Sequence, residues 1–125
     1  QTSALVFGGF TATANSANTE SWNGTSWTEV NDLNVTDKNN GSGSAGASNT
    51  SALVFGGGPG TSTRTESWNG TNWTNENALS TGRVGTKGCG TQTLALNFLG
   101  EPFSNVTEEW SGTGEITRTI TTTTE

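Results

Sequence analysis

The apolar residues of this chain come in short bursts between long polar stretches. The first burst is Thr2-Ser3-Ala4-Leu5-Val6-Phe7-Gly8-Gly9. A four-residue apolar run closed by a glycine pair is the pattern of a short strand covered on both faces. The same octapeptide returns unchanged as Thr50-Ser51-Ala52-Leu53-Val54-Phe55-Gly56-Gly57, and more loosely as Thr93-Leu94-Ala95-Leu96-Asn97-Phe98-Leu99-Gly100. Each burst is followed by a second pattern. It reads Thr19-Glu20-Ser21-Trp22-Asn23-Gly24-Thr25-Ser26-Trp27-Thr28, then Thr65-Glu66-Ser67-Trp68-Asn69-Gly70-Thr71-Asn72-Trp73-Thr74, then Thr107-Glu108-Glu109-Trp110-Ser111-Gly112-Thr113. Asn-Gly between two strand-like segments predicts a hairpin, because these residues readily adopt the positive φ of a tight turn. A two-residue loop would set Trp22 opposite Thr25 and Glu20 opposite Trp27, with the two indoles diagonal across the pair. A four-residue loop would change that pairing. The alternation of Glu115-Ile116-Thr117-Arg118-Thr119-Ile120-Thr121 predicts one final strand.

The copies are spaced evenly. The octapeptide begins at residues 2, 50 and 93, and the first Trp of the second pattern falls at 22, 68 and 110. A period of 42 to 48 residues is the length of one four-stranded propeller blade. The expected organisation is a single repeat domain over 1–125, with repeats at 1–49, 50–92 and 93–125. The first repeat opens on the Gly-Gly strand, so its blade is expected to lack an innermost strand. The last departs from the pattern, having no second Trp. About 2.7 repeats fall short of the roughly 4 to 8 blades of a closed ring. The ring is therefore expected to be incomplete within this chain, its strand edges meeting further sequence or another copy.

Composition sharpens this picture. Leu, Ile, Val and Phe number 20 of 125 residues, as few as in disordered chains, but net charge is only −6 and five Trp are present. The abundance of Thr and Gly and the scarcity of Ala, Leu, Glu and Lys exclude a helix-rich domain. One cysteine, Cys89, excludes a disulfide scaffold. No apolar run is long enough to span a bilayer, and five basic against eleven acidic residues argue against a nucleic-acid surface. There is no His and no Tyr, so Ser-His-Asp and Cys-His catalysis cannot be assembled and a conventional zinc site has no nitrogen ligand. No catalytic set, metal or cofactor is expected. Gln1 in place of an initiator Met suggests a processed or partial chain, and no signal peptide is evident.

A strand ending in Gly-Gly, then a loop, then Thr-Glu-Ser-aromatic, then Trp five residues later resembles the kelch repeat of β-propellers. The usual Tyr before the turn is replaced by Trp22 and Trp68. Leu33 and Leu79, six residues after the second Trp, stand where kelch repeats keep an apolar residue. Arg83 falls near the family's Arg before the innermost strand, with Asp37-Lys38 in that place in the first repeat. The wording of the repeats is also similar to kelch-type virion proteins of marine bacteriophages. The resemblance implies an all-β fold of kelch-like propeller blades.

Site residues divide into framework and loops. Trp22, Trp27, Trp68, Trp73 and Trp110 could stack on sugars, but their periodic placement points to packing between blades. Glu20, Glu66 and Glu108 could be catalytic acids, but their identical place in every repeat points to hydrogen bonding with neighbouring backbone. Gly8, Gly9, Gly56 and Gly57 complete the framework. The loops after the glycine pairs, 10–18, 58–64 and 101–106, differ in length and composition while their neighbours repeat. In a blade they open on one face, which makes it the expected binding surface, with Phe10, Arg64 and Phe103 as contacts. The alternative is that they are plain solvated connections.

The expected function is a non-enzymatic structural or recognition module, a phage virion component associated with a tail or fibre. Its loops would be displayed for host-surface or glycan adsorption. The alternative is a secreted lectin-like propeller. Expected partners are other copies of the chain, as in a homotrimeric ring or fibre, other virion proteins and a surface glycan. Nucleic acid and membrane insertion are not expected, and the location would be the virion or the extracellular space.

Overall fold

The computed structural model describes residues 1–36, 41–102, 105–112 and 118–121. Among them every regular element is a strand: β1 (Ala4–Phe7), β2 (Thr19–Trp22), β3 (Trp27–Val30), β4 (Gly43–Ser48), β5 (Ser51–Phe55), β6 (Thr65–Trp68), β7 (Trp73–Glu76), β8 (Lys87–Gly90), β9 (Ala95–Phe98), β10 (Val106–Trp110) and β11 (Arg118–Thr121). They form three small antiparallel sheets, β1-β2-β3, β4-β5-β6-β7 and β8-β9-β10-β11, each with its strands in chain order. The all-β expectation holds. Of the final strand expected over 115–121, residues 115–117 lie outside the described residues.

Both octapeptide runs form strands, and the Gly pairs end them. Gly8 and Gly9 have φ of 68° and 124°, and Gly56 and Gly57 have φ of 66° and 107°. Only glycine adopts this region without steric cost. The third repeat keeps the backbone path although Leu99 replaces the first glycine, and Leu99 takes φ 63°. The hairpins have four-residue loops. Trp22 pairs with Trp27, and Trp68 with Trp73. The reason is the turn asparagine. Asn23 Oδ1 accepts from the Thr25 and Ser26 amides at 2.9 and 3.0 Å, and Asn69 Oδ1 from Thr71 and Asn72 at 2.9 Å each. Each Asn side chain takes two loop amides, so Asn-Gly opens a longer loop and is not itself the whole turn. The indoles are therefore direct cross-strand neighbours, with ring centroids 5.4 Å apart in both hairpins.

The core lies between sheets. Side chains alternate along β5, so Ala52 and Val54 face one way and Leu53 and Phe55 the other. Ala52, Val54, Trp68 and Trp73 pack with Leu33 and against Leu5, Phe7, Ala17 and Val30 of the first repeat. Leu53, Phe55 and Leu79 pack against Ala95 and Trp110 of the third sheet. The middle sheet is thus covered on both sides. Each fully buried Leu, Val or Phe contributes roughly 1.5–3 kcal/mol. The close fit explains the small residues of β4 and β8. A Cβ at Gly43 or at Gly88 would come within 2.2 Å of the Phe55 ring, which lies where β4 and β8 approach it.

Every sheet therefore has two unlike faces. One carries the alanine of the octapeptide, the motif glutamate and the tryptophans. The other carries the leucine and phenylalanine of the octapeptide and the motif threonine. Sheets stack with the leucine–phenylalanine face of one on the tryptophan face of the next.

Candidate functional site

Two regions concentrate polar chemistry: the seam between sheets and the loop end. At the seam the motif glutamates accept amides from the linker that precedes their sheet. Asn34 N–H donates to Glu66 Oε2 at 2.9 Å, and Ser80 N–H to Glu108 Oε1 at 2.8 Å. The Ser80 hydroxyl also donates to Glu108. Both carboxylates are fully buried, and Arg83 Nε lies 3.7 Å from Glu108 Oε2 in an ion pair closed to solvent. Arg83 also donates through Nη1 to the Leu99 carbonyl at 3.0 Å. It sits in the linker just before β8 and ties the third sheet to the second.

A second set of clips rests on residues not singled out in the sequence, Gln1, Asn49 and Gln92, each one position before a repeated octapeptide. Their carbonyls accept the indole N–H of Trp22, Trp68 and Trp110 at 3.3, 2.9 and 3.0 Å. Two of their side chains also reach back one sheet. Asn49 Nδ2 donates to the Trp22 carbonyl at 3.2 Å and to Ser21 Oγ at 3.0 Å, and Gln92 Nε2 donates to the Trp68 carbonyl at 2.6 Å. Alternation of Asn and Gln hides the equivalence, though an amide at every pre-repeat position is a readable signal. Trp73 Nε1 donates to Thr19 Oγ1 at 3.0 Å across the same seam. The equivalent Thr65 Oγ1 is buried with no hydrogen-bond partner among the described residues, and the third repeat has no second tryptophan to donate to it.

The framework residues are not all placed alike. Trp68, Trp73 and Trp110 are buried, Trp22 is half-buried, and Trp27 is 48% exposed where the equivalent Trp73 is 5% exposed. Glu20 is exposed, and its carboxylate holds no linker amide among the described residues, unlike those of Glu66 and Glu108. Within this single chain Trp27 therefore lies outside the packed framework. No sheet among the described residues covers the tryptophan face of β1-β2-β3.

At the loop end, the connections β1–β2, β5–β6 and β9–β10 join the corresponding strands of each sheet. Linkers bond to these connections. Leu33 N–H donates to Ala17 O, Leu79 N–H to Thr63 O and Arg83 N–H to Ser62 O, while Val84 and Glu101 exchange backbone bonds. Phe10 is 64% exposed, and its loop is held by paired Thr11–Ala14 hydrogen bonds. Arg64 is exposed beside a shallow cleft of about 330 Å³ lined by Pro59, Thr61, Ser62 and Thr63. Phe10 and Arg64 thus stand on the loops of adjacent sheets. Phe103 lies outside the described residues. Among the described residues no group of three or more His, Cys, Asp or Glu is placed to hold a metal ion. No known family model matches the chain, and no curated protein matches it.

Proposed function

We propose that this chain is part of a kelch-like β-propeller that acts as a non-enzymatic recognition scaffold. On this reading the three sheets are blades, and their loops form one binding face directed at a host surface or a glycan. The observation that carries it is the contrast at the loop edge. The framework repeats nearly word for word, while the three loops that join the corresponding strands of each sheet differ in length and composition. Variation on a fixed scaffold is how recognition surfaces are built. A role in a phage virion follows from the resemblance of the repeat wording alone. A catalytic role has little to draw on, since the chain has no His or Tyr and its buried carboxylates are occupied as clips between sheets.

A secreted lectin-like propeller is the second reading, favoured by the cleft at Pro59–Arg64. Its hydroxyls and guanidinium suit a sugar better than an apolar ligand. Replacing loops 10–18, 58–64 and 101–106 by Gly/Ser segments of equal length tests both. The readouts are adsorption to host cells and binding to a neutral-glycan array, with circular dichroism to check the fold. Loss of cell adsorption when all three loops are replaced supports the scaffold reading. Loss of glycan binding on replacing 58–64 alone supports the lectin reading. Unchanged binding with all three replaced overturns both.

A further inference from the structure

The first sheet exposes a face that the second sheet buries. Val6 is 53% exposed and Val54 is 0% exposed, although they occupy the same place in an identical octapeptide. Trp27 is exposed where Trp73 is buried, and Glu20 lacks the linker amide that Glu66 holds. The third sheet has the opposite vacancy. Leu96 and Phe98, equivalent to Leu53 and Phe55, are only half-buried, and a hollow of about 360 Å³ opens beside Leu96, Glu109 and Trp110. The seams inside the chain show what covers each face, because the same residue types meet twice.

We propose that two copies of this chain close head to tail, the leucine–phenylalanine face of each third sheet docking on the tryptophan face of the other copy's first sheet. The contacts follow by equivalence with the internal seams. Trp27 Nε1 would donate to Thr107 of the other copy, as Trp73 does to Thr19. Gln1 Nε2, which among the described residues bonds its near neighbour Ser3 O at 2.7 Å, would reach the Trp110 carbonyl as Gln92 reaches that of Trp68. Asn49 finds Ser21 Oγ at that place, and Gln1 would find the Glu109 carboxylate, a stronger acceptor. Contacts of this kind are heterologous, so they close only if the rotation permits. The number two rests on the propeller reading above. Three sheets per copy give a six-sheet ring, within the roughly 4 to 8 blades that close. Three copies, expected from the sequence, would exceed that range.

Sedimentation equilibrium and native mass spectrometry of the 125-residue chain test this. The expected species has twice the 12.9 kDa chain mass. Trp27→Ala disturbs one face and Leu96→Asp the other, and circular dichroism verifies that each variant folds. Each variant alone should weaken association about 30-fold or more, the usual loss when a central interface anchor is removed. Mixing the two should restore association, because one intact seam remains between a sound third sheet and a sound first sheet. A monomer at all concentrations, filaments that lengthen with concentration, or no restoration on mixing would each overturn the proposal. None of these results depends on the loops, so failure here and failure of the recognition reading are separable.

Discussion

The first and second sheets share their sequence and not their surroundings. The eight residues from Thr2 and the eight from Thr50 are identical, and the hairpins that follow differ within Thr19–Thr28 and Thr65–Thr74 only at Ser26 against Asn72. Both hairpins have the same register, turn bonds and indole spacing. Burial nevertheless separates them at almost every framework position. Local conformation is thus set within the repeat, by strand propensity, the asparagine turn and the glycine pair. Burial is set by the neighbour. A residue such as tryptophan is stabilising in one copy and exposed in another because the hydrophobic gain depends on area removed from water, not on residue type.

Paired substitutions can break or sharpen this contrast. The largest difference is expected at the first tryptophan of the hairpin. Trp68→Ala removes a buried indole from the first seam and should cost about 3–5 kcal/mol, while Trp22→Ala should cost about 1. Chemical denaturation with unchanged m-values reads both. Next is the arginine of the second linker. Arg83→Ala leaves the Glu108 carboxylate buried without its ion partner and should cost about 3 kcal/mol, whereas Arg64→Ala, on an exposed loop, should stay within about 0.5. A comparable loss at Arg64 would show that the loop edge is part of the stabilising framework. Val54→Ala should cost about 2 kcal/mol and Val6→Ala less than about 0.5, a difference visible as separated thermal midpoints. The smallest effect is a gain. Leu99 holds a left-handed φ where the other repeats have glycine, so Leu99→Gly should stabilise by up to about 1 kcal/mol in a thermal melt.

Much of the fold is legible in the repeats. The apolar runs mark β1, β5 and β9, and the Thr-Glu-Ser-Trp and Trp-Thr segments mark the hairpin strands. The contrast between fixed framework and changing loops points to the loop edge. Other features needed three dimensions. The hairpin register turns on Asn23 and Asn69 spending their side chains on loop amides, and an Asn-Gly pair is compatible with either loop length. Asn49 and Gln92 act as clips because their carbonyls and side chains face different sheets, a division no spacing rule encodes. Trp27 and Glu20 follow the repeat pattern faithfully, yet their environment depends on a neighbouring sheet that the pattern does not specify. Arg83 has the converse history. A single arginine between Gly82 and Val84 carries little periodic signal, but its length lets it span from the linker to both Glu108 and the Leu99 carbonyl.

The central claim is that one repeated hairpin is core in the second sheet and surface in the first. Urea unfolding of Trp73→Ala and Trp27→Ala, at protein concentrations below any self-association, tests it most directly. Trp73 packs edge-on against Phe7 with ring centroids 5.0 Å apart and donates to Thr19, whereas Trp27 meets only its hairpin partner among the described aromatic residues. Trp73→Ala should therefore be less stable than Trp27→Ala by at least about 2 kcal/mol. Equal losses would contradict the stacked arrangement of the first and second sheets.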